Sequence, residues 1–347
     1  MRSCTQCTPK RSPRGIIATA LWCLPLAYVR SAGILRLSRV WVTIEMSGQQ
    51  ISANVAGMRI LVTNDDGIAS PGLHEVARTL HEDGHDVIVA APLDDCTGAG
   101  AGVGEGYRKG SISFQREAVS GLAGVDAFGV DALPALIVLA ACLGGFGEPP
   151  EIVVSGINLG LNTGRAVLHS GTVGAALTAS HFGVSSLAVS VEPFEPVFWD
   201  PAAKIAASVV GKLARSKDVI VLNLNVPGIP LSEVRGVRQA SLSTRGAALS
   251  IQSDVGKRTI SGLVEVEDSG SGMGTITLNL GWPTERDGVR TTPDSDHGAV
   301  VGRRGRVPSD VELVNAGYAA VTLIKAVSED TRPTTASLLD DLALGGA

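Results

Sequence analysis

Thr63-Asn64-Asp65-Asp66-Gly67-Ile68-Ala69-Ser70-Pro71-Gly72 is the stretch on which the reading of this chain turns. It follows the short apolar run Ile60-Leu61-Val62 and precedes a segment whose apolar residues Leu73, Val76, Ala77 and Leu80 share one helical face. The local order is therefore strand, acidic turn, helix. Two adjacent carboxylates at the end of a strand repel each other, and burying either one unpaired carries a heavy desolvation cost. A divalent cation relieves both penalties, and oxygen ligands suit hard ions such as Mg²⁺, Mn²⁺ or Ca²⁺. Asp65 and Asp66 are thus candidate metal ligands. The same residues also fit a plain turn in which one aspartate caps the helix and the other is solvated.

Outward from that turn, Gly84 can end the helix, and Val87-Ile88-Val89-Ala90-Ala91-Pro92 reads as a buried strand closing at a proline. Strand, helix and strand make a βαβ unit of about 35 residues with a right-handed crossover. The loop after it, Leu93 to Gly102, is glycine-rich. It does not have the G-x-G-x-x-G spacing of a dinucleotide fold and leads into no recognisable helix, and no G-x-x-x-x-G-K-[ST] occurs elsewhere. Ligands of a doubly wound sheet bind beyond the carboxyl ends of its strands. The Asp65/Asp66 turn and the loop carrying Thr97 end neighbouring strands, so they converge on one crevice.

Ile152-Val153-Val154 reads as another buried strand, ending in the loop Ser155-Gly156-Ile157-Asn158-Leu159-Gly160-Leu161-Asn162-Thr163-Gly164. Asn158 can offer an amide oxygen to a metal and Asn162 can donate to a phosphoryl oxygen; equally, both can simply occupy turn positions with left-handed backbone. His169-Ser170-Gly171-Thr172 then opens an alanine-rich helix. Hydroxyls and unpaired N–H groups at a positive helix end form a seat for phosphate, and Ser170 or Thr172 can also serve as the cap. Further on, Ser185–Val191 and Val219–Leu224 read as strands, Asp200–Leu213 as a helix and Gly236–Leu280 as a hairpin-like run of polar strands. Trp282–Arg306 reads as loop, and Ser309–Ala326 as ordered again.

Composition bounds the class. In 347 residues, 44% hydrophobic content supplies a core for one large domain or two, and 42 glycines with 4% aromatics suit the tight turns of an α/β fold. A net charge of −5 argues against a nucleic-acid binder, which needs a basic face. It leaves room for a small phosphorylated substrate, because a metal ion supplies positive field locally. Cys4, Cys7, Cys23, Cys96 and Cys142 form no disulfide framework, which points to a reducing, cytoplasmic setting.

The first 57 residues differ from the rest. Lys10, Arg11 and Arg14 precede the apolar run Ile16–Val29, of signal-peptide length but short for a membrane span. Against export, Arg30, Arg36 and Arg39 follow closely and no small-x-small cleavage site ends the run. The C-x-x-C of Cys4 and Cys7 lacks the second pair of a zinc site. Met58 stands directly before the first strand, so residues 1–57 read as an extension, disordered or loosely helical, outside a working domain of residues 58–330, with a tail at 331–347.

The ordered set Met58-Arg59-Ile60-Leu61-Val62-Thr63-Asn64-Asp65-Asp66-Gly67, Val153-Val154-Ser155-Gly156-Ile157-Asn158 and Ser170-Gly171-Thr172-Val173 resembles the SurE family. Members are survival-protein-E phosphatases that act as metal-dependent 5'- and 3'-nucleotidases. Asn223-Leu224-Asn225-Val226-Pro227 and Asn315-Ala316-Gly317-Tyr318 add to the match, which runs from Met58 to about Leu323. The resemblance implies a Rossmann-like three-layer α/β sandwich with a mostly parallel sheet and a protruding β-hairpin. It implies a homodimer or homotetramer with one divalent metal, Mg²⁺ or Mn²⁺, per subunit, and no membrane or nucleic-acid partner. By position, Asp65, Asp66, Thr97 and Asn158 match its metal ligands. Thr97 stands where the family has serine, and Leu93-Asp94-Asp95-Cys96 replaces its usual Asp-Arg-Asn-Arg. Arg165-Ala166 replaces an acidic pair, and Gly129-Val130-Asp131 stands for a Gly-Thr-Pro block.

The chemistry expected is hydrolysis of a phosphomonoester. The metal polarises a phosphoryl oxygen and acidifies water, Asn162, Ser170, Gly171 and Thr172 bind the phosphoryl oxygens, and either aspartate accepts the water's proton. His169 is placed to protonate the leaving alkoxide. The alternatives are a non-catalytic nucleotide-binding module on the same fold and an exopolyphosphatase. A haloacid-dehalogenase-type mechanism needs Asp-x-Asp, which Asn64-Asp65-Asp66 does not supply.

Overall fold

A strand that is apolar along its whole length must be covered on both faces, and Ile60, Leu61 and Val62 are fully buried. The computed structural model describes residues 57–119, 121–244, 264–268, 274–278 and 307–325. The expectations for residues 1–56, for the loop 282–306 and for the tail lie outside the described residues.

Along the chain, β1 (Arg59–Thr63) leads into α1 (Pro71–Glu82), β2 (Asp86–Pro92), a short α2 (Gly104–Lys109), β3 (Phe114–Arg116), β4 (Asp126–Val130) and α3 (Pro134–Cys142). Then come β5 (Ile152–Leu159), a 3₁₀ turn (Gly164–Leu168), α4 (Gly171–His181), β6 (Ser185–Val191), α5 (Trp199–Leu213), β7 (Val221–Val226) and β8 (Val237–Gln239). β9 (Val264–Asp268) and β10 (Gly274–Leu278) pair antiparallel as a ribbon of their own, inside the stretch expected to form a hairpin. α6 (Asp310–Asn315) and β11 (Ala319–Ile324) follow.

The main sheet has nine strands in the order β3-β4-β2-β1-β5-β6-β7-β11-β8. From β4 to β7 neighbouring strands are parallel, while β3 and β11 run antiparallel to their inner neighbours. The inner order is that of the doubly wound dinucleotide fold, and its switch point falls between β1 and β5. Ile60 and Val62 pack with α1 and α5 residues such as Leu73, Val76 and Ile205. Leu61 packs on the other face with Ile137 of α3 and Ala175 of α4. Three layers result, with Leu73, Val76, Ala77 and Leu80 buried on α1 as their spacing predicts. Among the described residues no helix is long and apolar enough to cross a membrane.

Four elements depart from the sequence expectation. β5 runs on through Ser155–Leu159, expected as loop, with a register shift between Ser155 and Asn158. The glycine-rich loop after β2 does lead into a helix, α2, which buries none of its residues and so carries no apolar periodicity. α3, Pro-Ala-Leu-Ile-Val-Leu-Ala-Ala-Cys, is apolar all round and equally hides its period. β7 lies two residues later than expected, because Asn223 and Asn225 are buried strand residues and Val219 is exposed.

Candidate metal and phosphate site

β1 delivers the two carboxylates to the switch point. Asp65 is 2% exposed. Its carboxylate accepts the Thr172 hydroxyl at 2.5 Å, and the Thr172 and Gly171 amides at the start of α4 face the same group. Gly171 tolerates no side chain there, since a Cβ would lie 2.7 Å from Asp65 Oδ2. The Asp65 carboxyl therefore sits on the amino terminus of a helix more than a hundred residues later, an end that favours its charged form. Burial pushes its carboxyl above the ordinary value, and the Thr172 hydroxyl and facing amides offset only part of that. Asp66 is pushed up to about 7, first by burial and then by the charge of Asp65, while the Leu159 amide opposes the shift. Asp66 Oδ2 and Asn64 Oδ1 are buried without a protein hydrogen-bond partner.

The loop after β2 is pinned to this turn. The Cys96 N–H donates to the Asp65 carbonyl at 2.7 Å and the Ile68 N–H to the Pro92 carbonyl at 2.7 Å. Thr97, exposed, turns its N–H and its hydroxyl to Asp95 Oδ1 at 2.7 and 2.6 Å, so the hydroxyl oxygen keeps its lone pairs. The Gly100 N–H donates to the His169 carbonyl at 3.1 Å. A Cβ on Gly174 would come within 2.1 Å of the Gly100 carbonyl oxygen, so loop and α4 meet backbone to backbone.

β5 supplies the third edge. Asn158 lies beside Ser190 of β6, and its Nδ2 donates to the Gly160 carbonyl at 2.6 Å, leaving the amide oxygen as an acceptor for a cation. The strand irregularity before it, between Ser155 and Asn158, passes through Gly156 at φ +133°, where a Cβ would lie 2.3 Å from the Val189 carbonyl oxygen. Asp65, Asp66, the Thr97 loop and Asn158 thus lie at the carboxyl ends of β1, β2 and β5.

The residues expected to bind phosphate are placed differently from one another. Asn162 is buried: its N–H donates to Asn225 Oδ1 at 2.8 Å, its Nδ2 to Ser190 Oγ at 2.9 Å, and its carbonyl accepts from Asn223 Nδ2 at 2.7 Å. One Nδ2 hydrogen remains to be given. Ser170 accepts the Val173 N–H at 3.1 Å and so caps α4, keeping its own O–H as a donor. Gly171 and Thr172, expected to bind phosphate, instead turn their amides and the Thr172 hydroxyl to Asp65, which leaves Ser170 and Asn162 with the donors still to be given. His169 and Arg165 are exposed at the rim.

Sequence reasoning gave no role to Ser190, Asn223 and Asn225, which form the floor under Asn162, or to Asp310. Asp310 is fully buried and accepts the Gly164 N–H at 2.7 Å and the Ser243 N–H at 2.9 Å, tying the Asn162 loop to α6. Two asparagines spaced by two in an otherwise apolar strand were the available signal for the floor; a lone aspartate beginning a helix carried none.

Among the described residues no three His, Cys, Asp or Glu side chains gather as a metal cluster. A cation in this crevice would draw on two carboxylates and neutral oxygens, a donor set suited to a hard ion.

The family profile described as "Survival protein SurE" matches residues 60–248. The chain is 36% identical over 238 residues to the 5'-nucleotidase SurE of Heliobacterium modesticaldum, covering 65% of this chain and 83% of that protein. It is 38% identical over 192 residues to the 5'-nucleotidase SurE of Gloeobacter violaceus, covering 54% and 71%. The crystal structure of the SurE protein from Aquifex aeolicus superposes with a TM-score of 0.53 at 22% identity, covering 81% of this chain and 98% of that one.

Proposed function

The chain belongs to the SurE family, and on that premise we propose that it is a metal-dependent 5'-nucleotidase, a hydrolase releasing phosphate from nucleoside monophosphates. The observation that carries this reading is the adjacent pair Asp65–Asp66 at the switch point, Asp65 buried and Asp66 half-buried. Two acidic side chains held side by side, one with a buried oxygen that no protein group meets, need a cation to be ionised together. Asp65, Asp66, Thr97 and Asn158 would hold one divalent ion per subunit, Mg²⁺ or Mn²⁺. When bound, it supplies Lewis acidity to a phosphoryl oxygen and a more acidic water.

The remaining roles fall to the chain's own groups. Thr172 and the first amides of α4 fix the direction of the Asp65 carboxylate. The Ser170 hydroxyl and the second Nδ2 hydrogen of Asn162 donate to phosphoryl oxygens, with the positive end of α4 adding field. His169 supplies a proton to the leaving alkoxide from the rim. A homodimer or homotetramer is the form the family resemblance implies, and the cysteine usage suits the cytoplasm.

Phosphate release from a panel of nucleoside 5'- and 3'-monophosphates, with and without EDTA, tests the reading. Chelation should abolish turnover and Mg²⁺ or Mn²⁺ should restore it. Full turnover in EDTA would reject the metal assignment.

A further inference from the structure

We propose that the cavity at the ends of β2 and β4 takes the nucleoside of the substrate, with the ribose diol on the Asp94 carboxylate; this rests on the phosphatase reading above. The cavity measures about 450 Å³ and is lined by Leu93, Asp94, Cys96, Lys109, Ile112 and Leu133, among others, a volume within the range of small-ligand sites. It begins one residue from Thr97, because Cys96 both lines it and bonds through its amide to the Asp65 carbonyl. A phosphate in the crevice therefore has its ester oxygen within reach of this space.

On the side of β6 and β7 the floor of the crevice is filled. Under β6 and β7 the Asn162–Ser190–Asn225 network is hydrogen-bonded and buried. A second cavity of about 430 Å³, lined by Trp199 and Leu231, lies between α1 and α5 residues and shares none of the crevice loops. The β2–β4 cavity is also a built one. Its floor is fixed by the Leu93 N–H on the Val130 carbonyl at 3.0 Å and the Asp131 N–H on the Ser113 carbonyl at 2.9 Å. α2, which buries none of its own residues, forms a wall that packs closely through two glycines. Gly104 stands at φ +62° and a Cβ on Gly106 would lie 2.9 Å from Ile112 Cγ2.

The chemistry of the lining selects the sugar more than the base. Asp94 lies two residues beyond the last residue of β2, and dinucleotide-binding members of the doubly wound class use an acid near that strand end to accept a ribose hydroxyl. Glu105 and Asp131 also line the cavity, and Asp94 is the carboxylate nearest in sequence to Thr97 among the three. A carboxylate that accepts a hydroxyl discriminates against its absence. None of the residues lining the cavity is aromatic, so the base is held by apolar contact with Leu93, Ile112 and Leu133 rather than by stacking, and base preference is weak.

Equilibrium dialysis of adenosine and 2'-deoxyadenosine against the full chain and its Asp94→Ala variant tests this without any need for turnover. Adenosine should bind about tenfold more tightly than its deoxy counterpart, the size of one hydrogen bond to a charged group, and Asp94→Ala should erase the difference. Ser113→Trp, which fills the cavity, should weaken both nucleosides while its melting curve reports that the fold persists. Equal binding of the two nucleosides by the wild type, or a preference that survives Asp94→Ala, would overturn the proposal. Turnover of 4-nitrophenyl phosphate by the wild type scores the phosphatase reading separately.

Discussion

Asp66 is the residue through which pH acts. Its folded-state carboxyl stands at about 7 against an ordinary 3.8, so the metal-free fold favours the protonated form. The sign follows from linkage: the contribution of Asp66 to stability without metal is fully present below the ordinary carboxyl value, falls as pH rises from about 4 to 7, and then levels off. A cation competes with that proton, so its affinity should rise by about tenfold per pH unit up to about pH 7 and flatten above. Calorimetric titration with Mn²⁺ from pH 5.5 to 8 measures this; an affinity independent of pH would remove the raised carboxyl from the account. Asp66→Asn should lower nucleotide turnover by on the order of a hundredfold while making the metal-free chain less sensitive to pH. His169→Gln should slow nucleoside monophosphates much more than 4-nitrophenyl phosphate, whose leaving group needs no proton. Equal slowing of both would assign His169 to binding instead.

Among the elements, α4 is the one on which the site is mounted. Its first turn seats Asp65, Ser170 caps it, and its fourth residue after the cap lies against the loop that carries Thr97. Gly174→Ala puts a methyl group 2.1 Å from the Gly100 carbonyl oxygen, which forces backbone rather than a flexible side chain to move. The expected cost is about 2 kcal/mol of stability, with turnover falling as the loop lifts from α4. Thermal unfolding and the KM for metal read the two effects; an unchanged melting temperature would show that the loop yields freely. α4 was legible from Ser-Gly-Thr before an alanine-rich run, yet its role as the seat of Asp65 was not. The contact joins residues 107 positions apart, and no local pattern encodes such a pairing.

At the scale of the molecule, the crevice is completed by the carboxyl-terminal part of the chain. Asp310 reaches back across 146 positions to the Gly164 amide and also receives the Ser243 amide. Asp310→Ala would leave both N–H groups without their acceptor at a buried joint, a loss of about 3 kcal/mol, and would loosen the loop that presents Asn162. Asp310→Asn, which keeps one acceptor, should fall between. Chemical denaturation together with kcat/KM for a nucleoside monophosphate checks the ordering; a stable Asp310→Ala enzyme with full activity would show the joint to be dispensable.

The alternation of apolar strands and helices and the acidic turn after β1 were set by the sequence alone, because hydrophobic period and turn chemistry are local properties of neighbouring residues. So were the hydroxyl-rich start of α4 and the family to which these blocks belong. α2 and α3 escaped that reading because one buries nothing and the other is apolar all round, so neither has a face to betray it. Only the tertiary structure decided that Asp65 sits on the amino terminus of α4, that Asn162 rests on a floor of Ser190, Asn223 and Asn225, and that Asp310 closes the loop above it. Those facts depend on which strands become neighbours in the sheet, and that order is fixed by the burial of whole elements against one another rather than by any single stretch of chain.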